Sequence, residues 1–346
     1  MSPESERARL REAILEFMPR SIESPNEEAL GALLDEVAEW QARHVPPYAR
    51  LVAARGVGAA LPTDVFRHAR VAAHPPSQDV AVFRTSGTTA NPGEHFFRSL
   101  ELYESAARLW ASQLLFPGDA RMRFVLMDTP RPGSSLAHMV WSFTDWFSAN
   151  GAAAAVPCDP NRPAEIAATI EAAVEDGPVC LLGTSFAFVF AEDALRESGT
   201  RFQLPEGSRI MHTGGFKGRT REVDPAQMIE QLSARYGIPP SHVVAEYGMT
   251  ELSSQAYETT LVQPSEPRRL RFPPWVRATA VDPVTLEPTG DAPGILRIED
   301  LANLDSCGRI QTADLARREG DGWVLLGRAP GAVPRGCSLA TEAALS

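Results

Sequence analysis

Between residues 79 and 246, short apolar runs alternate with longer amphipathic stretches, and this alternation limits the chain to few architectures. Strands are predicted at Asp79–Arg84, Phe124–Asp128, Ala153–Val156, Val179–Leu182, Arg209–His212 and His242–Glu246. Helices are predicted at Leu100–Phe116, Leu136–Ala149, Ala164–Val174, Phe186–Arg196 and Pro225–Tyr236. Strands that alternate with helices build a sheet covered on both faces. The predicted strands end at Thr85, Asp128, Thr184, Thr213 and Glu246. Ligands of open α/β sheets bind beyond the carboxyl ends of the strands, so the functional site is expected there.

The flanking segments differ. Leu10, Ile14, Leu15 and Met18 recur at helical spacing, as do Leu30, Leu33, Leu34, Val37 and Trp40, and Pro46-Pro47 closes that region. Residues 1–78 therefore read as a helical cap on an α/β core at 79–262. Pro264, Pro267, Pro273 and Pro274 mark a crossing. Short strands follow at Val276–Val281, Gly294–Ile298, Gly308–Thr312 and Trp323–Leu326, which gives a β-rich subdomain over 263–330 and a tail over 331–346.

Composition excludes several classes. With 346 residues, 44% of them apolar and 22% charged, the chain buries a sizeable core and is not a disordered one. A net charge of −11 argues against nonspecific nucleic-acid binding, which needs a basic surface. No apolar run is long enough to span a membrane. The start Met-Ser-Pro-Glu-Ser-Glu lacks a basic run before an apolar one, so a cytoplasmic protein is expected. Cys158, Cys180, Cys307 and Cys337 show no CxxC spacing, which argues against a zinc site and fits a reduced compartment.

Four segments carry chemistry. Thr85-Ser86-Gly87-Thr88-Thr89, running on to Gly93, follows a strand and precedes a helix. Glycines let backbone N–H groups approach phosphate oxygens, and hydroxyls add donors; an ordinary polar turn is the competing reading. Met211–Arg219 contains Gly214, Gly215, Lys217 and Arg219, which offer room for a flat base and cations for phosphate charge; a solvated loop is the alternative. Glu246-Tyr247-Gly248-Met249-Thr250-Glu251 supplies an aromatic face, a hydroxyl for the α-phosphate and a carboxylate for Mg²⁺. The same residues also suit a strand-to-helix cap. Asp314, in Thr312-Ala313-Asp314-Leu315, can accept two ribose hydroxyls, with Arg328 in reach of sugar or phosphate; a capped hairpin turn explains that segment equally. Cys337, in Pro334-Arg335-Gly336-Cys337, reads either as a reactive thiol, since a nearby cation such as Arg335 can lower a thiol pKa, or as a small apolar residue in a tail.

In combination and order, these segments resemble the adenylate-forming superfamily of acyl- and aryl-CoA ligases, adenylation domains and firefly-type luciferases. Within it the chain looks most like the acyl-protein synthetases of bacterial bioluminescence (LuxE type). Gly214-Gly215-Phe216-Lys217-Gly218-Arg219, the short length and the late Arg335-Gly336-Cys337-Ser338-Leu339 carry that likeness, over about residues 80–340. The resemblance implies a layered α/β domain with a small β-rich subdomain. It implies ATP and Mg²⁺ as cofactors and a carboxylic acid, fatty or aryl, as substrate. Thr85 to Thr89 then match the phosphate loop, Gly214, Gly215 and Glu246 to Met249 the adenine site, Thr250 and Glu251 the phosphate and metal contacts, and Asp314 and Arg328 the ribose site. His138, Trp141 and Phe186 are candidates for the acid pocket, beside Phe143, Trp146 and Phe188, all of which are equally suited to a core. The family moves the acyl group from adenylate to a cysteine matched by Cys337, for delivery to an acyl-CoA reductase-like or carrier-protein partner.

Two departures follow. Larger members carry a further C-terminal domain of roughly a hundred residues with a catalytic lysine, whereas residues 329–346 alone follow Arg328 here. Their phosphate loop ends Pro-Lys, where this chain has Pro92-Gly93-Glu94-His95; Lys217 is the candidate replacement cation. Two alternatives remain at this stage: a ligase delivering to coenzyme A or a carrier-protein phosphopantetheine, and a non-catalytic acyl- or nucleotide-binding protein.

Overall fold

A computed structural model of the chain describes residues 2–85, 91–127, 131–149, 156–157, 162–175, 177–214, 224–329 and 335–345. Three helices come first: α1 (Pro3–Glu23), α2 (Glu27–His44) and α3 (Pro46–Arg55). The Ser2 hydroxyl accepts the Ser5 N–H at the start of α1, and Asn26 Oδ1 accepts that of Ala29 at the start of α2 (3.2 and 2.9 Å). Leu10, Ile14 and Met18 of α1 and Leu30, Leu34, Val37 and Trp40 of α2 are buried, as their spacing predicts. The proline pair does not end the helical region. Pro46 opens α3, at the position where a helix loses nothing through a missing N–H.

A short strand β1 (Leu61–Pro62) precedes a separate hairpin of β2 (Ala81–Arg84) and β3 (Glu94–Phe97). The hydroxyl-rich loop therefore joins two antiparallel strands instead of leading directly into a helix. β3 exists because His95 and Phe97 alternate into the core.

The expected alternation follows: α4 (Glu101–Leu114), β4 (Arg123–Leu126), α5 (Ser135–Phe147), β5 (Val156–Pro157), α6 (Pro163–Val174), β6 (Val179–Thr184), α7 (Ser185–Ser198), β7 (Arg209–Thr213), α8 (Pro225–Tyr236) and β8 (Val243–Tyr247). The predicted strand Ala153–Val156 falls mostly outside the described residues, as do Asp128 and Cys158. The strands β5, β4, β6, β7 and β8 pair in that order, all parallel. Their side chains divide between two cores. Phe124, Leu126, Cys180, Leu182, Met211 and Val244 meet α4 and α5 on one face. Val125, Val179, Leu181, Ile210 and Val243 meet α6, α7 and α8 on the other. Burial on both faces explains why these strands read as continuous apolar runs.

The chain continues through β9 (Ala256–Glu258), β10 (Leu270–Arg271), β11 (Val276–Val281), β12 (Gly294–Asp300), β13 (Arg309–Glu319), β14 (Gly322–Arg328) and α9 (Arg335–Leu345). The β-rich region does not form a sheet of its own. β9 pairs antiparallel with β8, β10 joins β9 to β14, and β11 to β14 complete the ladder, with β1 alongside β13. Among the described residues this is one sheet of 12 strands.

Candidate active site

Parallel register sets Thr184, Thr213 and Glu246 side by side at the carboxyl ends of β6, β7 and β8. Thr184 Oγ1 accepts the Ala187 N–H at the start of α7 (3.1 Å). The Thr213 hydroxyl donates to Glu246 Oε2. Burial raises the Glu246 carboxyl from its ordinary value to about 7, against the opposing effect of that hydrogen bond. A Cβ at Gly248 would stand 2.4 Å from Glu246 Oε1, so a side chain there requires this carboxyl to shift.

Tyr247 links this corner to the β-rich strands. Its hydroxyl donates to Asp314 Oδ2 at 2.9 Å, and Arg328 Nε donates to Asp314 Oδ1 at 3.2 Å. Asp314 and Arg328 are direct partners across β13 and β14. Phe272 meets the Tyr247 ring edge-on at 5.8 Å. Side chains from β8 and β14 thus converge on one carboxylate of β13.

The remainder of the Glu246–Glu251 motif starts no helix. Residues 248–255 form an irregular segment between β8 and β9, and its backbone is tied from outside. His95 Nδ1 donates to the Thr250 carbonyl (2.8 Å), and Asn303 Nδ2 donates to that of Glu251 (2.8 Å). Asp300 accepts the Ser253 and Ser254 N–H groups. Burial pushes the His95 ring down to about 4, so it stays neutral at neutral pH. His95, Asn303 and Asp300 escaped sequence reasoning. Their only local trace is the inward alternation at His95.

The phosphate-loop candidate closes against the same segment. Thr85 N donates to the Gly93 carbonyl and Gly93 N to Thr85 Oγ1, both at 2.9 Å. A Cβ at Gly93 would lie 3.2 Å from Thr85 Cγ2 and 3.5 Å from Glu251 Oε1. The loop base and the candidate metal carboxylate are therefore neighbours. Ser86, Gly87, Thr88 and Thr89 lie outside the described residues, as do Gly215, Lys217 and Arg219. Gly214 has φ +75°, and its carbonyl accepts the Ser185 hydroxyl at 2.7 Å.

The acid-pocket candidates do not assemble as a group. His138, on α5, bonds Glu104 at 3.0 Å and packs near Phe83 and Tyr103. Trp141 is 38% exposed. Phe186 belongs to α7, on the opposite face of the sheet, and packs with Phe190. Phe143 and Phe188 are core residues.

Cys337 does not sit on a free tail. Cys337, Ala340 and Ala344 form the buried stripe of α9, whose Ala344 carbonyl accepts Arg50 Nε of α3 at 2.7 Å. Cys337 is 3% exposed, packed on Val281 and Ile295 with Leu286, Leu315 and Ala329 around them. Burial pushes its thiol up to about 11. Its neighbour Leu315 projects to the opposite face of β13 from Asp314.

A parallel sheet of this order, extended by antiparallel strands that close on its carboxyl ends, is the fold of the adenylate-forming enzymes. The chain is similar to ATP-bound MatB from Rhodopseudomonas palustris, with a TM-score of 0.52 and 17% identity over 74% of this chain and 49% of that one. It is similar to an open conformation of 2-hydroxyisobutyryl-CoA ligase in complex with 2-HIB-AMP and CoA, with a TM-score of 0.65 and 14% identity over 87% and 69% of the two chains. The family model described as "Acyl-protein synthetase, LuxE" matches residues 134–346, and the chain belongs to that family. The long-chain-fatty-acid–luciferin-component ligase of Aliivibrio fischeri is 26% identical over 140 residues, 40% of this chain and 35% of that protein. The chain thus spans about a third of that curated relative and about half of MatB.

Proposed function

We propose that this chain activates a carboxylic acid with ATP and carries the acyl group forward as a thioester on Cys337. The convergence of Tyr247, Asp314 and Arg328 beside the Thr85–Gly93–Glu251 contact is the observation that carries this reading. Tyr247 and the Gly214-Gly215 segment hold the adenine ring. Asp314 keeps lone pairs free for ribose hydroxyls beyond its two present bonds. Thr85, Ser86, Gly87, Thr88 and Thr89 take the phosphates with Thr250, and Met249 packs beneath them. Glu251 is one carboxylate, the usual protein share of a Mg²⁺ site completed by nucleotide phosphates. Lys217 supplies the cation for charge on the α-phosphate.

The acid carboxylate oxygen attacks the α-phosphorus, the bond to the β-phosphate oxygen breaks, and pyrophosphate leaves. The Cys337 thiolate then attacks the acyl carbon, AMP leaves, and the thiol proton passes to water. Thiolates are effective acyl nucleophiles once formed. Burial of Cys337 means that α9 must leave its seat for this second step. An acid of fatty or aryl type, bound near His138 and Trp141, and an acyl-CoA reductase-like or carrier-protein partner complete the proposal. No described helix is long and apolar enough to cross a membrane, which fits the proposed cytoplasmic setting.

The same burial favours a second reading, in which an external thiol such as coenzyme A or a phosphopantetheine receives the acyl group. ATP–pyrophosphate exchange over a panel of acids, followed by intact mass with and without hydroxylamine, separates the two. Acid-dependent exchange with a hydroxylamine-sensitive adduct, absent in Cys337→Ser, supports the first. Exchange without any adduct supports the second, and no exchange with any acid rejects acid activation.

A further inference from the structure

A cleft of about 390 Å³ opens between α1, α4 and the end of α5. It lies at the other end of the sheet from Thr184, Thr213 and Glu246. Arg121, on its rim, stands two residues ahead of β4, and the bridge of Met122 to Ser148 sets the end of α5 beside it. Leu15, Pro19, Leu109, Trp146 and Phe147 give it apolar walls. The Trp146 and Phe147 rings meet edge-on at 6.3 Å, and Phe147 stacks on the core residue Phe116 at 4.3 Å. Trp146, which the sequence offers for an acid pocket, thus belongs to a recess remote from the nucleotide loops. Pockets of roughly 300–1,000 Å³ with apolar walls and a few polar groups are the usual form of a small-molecule site.

Its charged groups are Arg108, Arg121 and Asp119. Arg121 Nη1 donates to the Trp146 carbonyl, and the Arg108 guanidinium lies 6.0 Å from the Trp146 ring centre. Among the described residues, no acidic side chain comes within ion-pair distance of either arginine, and no basic one of Asp119. The neighbouring surface is different. Arg7, Arg9 and Arg11 of α1 pair with Asp305, Glu36 and Glu101, and Arg98 pairs with Glu4. In a chain of net charge −11, two unpaired guanidinium groups beside one apolar recess stand out. Each keeps planar, forked donors that suit a carboxylate. Two cations and one carboxylate leave one positive charge, which a single carboxylate neutralises. A phosphate ester carries a charge of about −1.5 to −2, so it overshoots that balance beside Asp119.

We propose that this cleft is a second ligand site, separate from the nucleotide site, which binds a monocarboxylate with an aliphatic or aromatic body. The carboxylate lies between Arg108 and Arg121, and the body lies against Trp146, Phe147, Leu109 and Leu15. The proposal does not depend on acid activation at the other end of the sheet.

The test titrates decanoate and 3-phenylpropionate into the full chain without ATP, with decanol and decyl phosphate for comparison. Binding is read by calorimetry and by tryptophan emission. At least one acid is expected to bind saturably, ahead of decanol and decyl phosphate, and more weakly as salt rises. The Arg108→Gln/Arg121→Gln double variant should bind it about tenfold more weakly, since both partners of the carboxylate are exposed side chains. Arg108→Gln alone, which breaks no hydrogen bond within the protein, should cost several-fold. Trp146→Phe keeps an aromatic wall, so binding by calorimetry should persist while most of the emission change disappears. Affinity that the double variant retains places the acid elsewhere and overturns the proposal, as does an emission change that survives Trp146→Phe. Equal or tighter binding of decanol or decyl phosphate overturns the carboxylate assignment. ATP–pyrophosphate exchange in the double variant is expected at the wild-type rate, and a parallel loss of exchange would overturn the separation of the two sites. A wild type that binds acid here without any exchange sinks the activation reading and leaves this proposal standing.

Discussion

Glu246 makes the stability of the fold depend on pH, and the sign follows from its burial. The unfolded chain ionises this carboxyl near 4.5, and the folded chain holds its proton up to about 7. Between those values the native state binds more protons, so stability falls as pH rises, and the whole penalty is present above 7. The difference corresponds to about 3 kcal/mol, on the order of magnitude. Glu246→Gln keeps an acceptor for Thr213 and removes the charge. Its stability relative to wild type should therefore rise by about 3 kcal/mol from acid to mildly alkaline solution. Urea unfolding of both proteins at the two pH values checks this, and a gap independent of pH rejects it. Asp314 gives a binding prediction. Charge-assisted hydrogen bonds contribute about 1.5–3 kcal/mol each, so Asp314→Ala should weaken ATP binding tenfold or more in calorimetry. Unchanged affinity in a folded variant moves the ribose elsewhere. The sequence singles out Tyr247, Asp314 and Arg328 because each belongs to a cluster of apt residue types, and the fold brings the three into contact. The bond from His95 to Thr250 was not, because it spans 155 residues and neither neighbourhood hints at the other.

At the scale of elements, the segment between β8 and β9 owes its shape to side chains from elsewhere in the chain, the donors His95 and Asn303 and the acceptor Asp300. Asn303 Nδ2 serves both the Glu251 and the Cys307 carbonyls, at 2.8 and 2.9 Å. Asn303→Ala leaves two buried acceptors short, at about 1–3 kcal/mol for an unsatisfied group. The variant should melt earlier, and its pyrophosphate exchange should need more Mg²⁺ than wild type. A lower melting temperature with an unchanged Mg²⁺ requirement would reduce Asn303 to packing alone. Helix α9 gives the other element-scale prediction. Ala340 is buried in the stripe that seats it, so Ala340→Glu should unseat α9. Local openings of this kind control access to buried groups. Maleimide labelling of Cys337 should then speed up about tenfold or more, with Cys180 and Cys307 unchanged, read by peptide mapping. Equal labelling in both proteins would mean that α9 opens freely already. The parallel strands were readable because each is an apolar run between turn residues. α9 was missed because its stripe is one cysteine and two alanines, too weak a pattern to separate from a tail.

Over the whole molecule, the first helices share a core with the far end of the sheet. Leu10, Ile14, Leu34 and Trp40 fall in one buried cluster with Leu296, Ile298 and Ile310. Gln41 donates to the Asn303 carbonyl at 2.9 Å and accepts from Gly308 N at 2.9 Å, both buried. Arg309 bonds Asp35 of α2 at 2.6 Å and Glu299 of β12 at 2.8 Å. The helical stripes at 4–45 were plain in the sequence, but a stripe says that a face is covered without saying by what. The break in character near residue 262 was equally plain, and the hydrogen-bonded ladder runs straight across it from β9 to β10. Composition changes there because antiparallel strands need turns where parallel ones need helices. These contacts tie Asn303, which holds the Glu251 carbonyl, to the α2 helix through Gln41. A chain lacking residues 1–57 should therefore lose more than a covering layer. It exposes the Leu296–Ile310 surface and strands the Asn303 and Gly308 backbone groups. The expectation is a fragment without a cooperative urea transition and with weak near-ultraviolet circular dichroism, while the full chain unfolds in one step. A truncated chain that unfolds cooperatively and still binds ATP would establish the first helices as a separable cap and refute the single core.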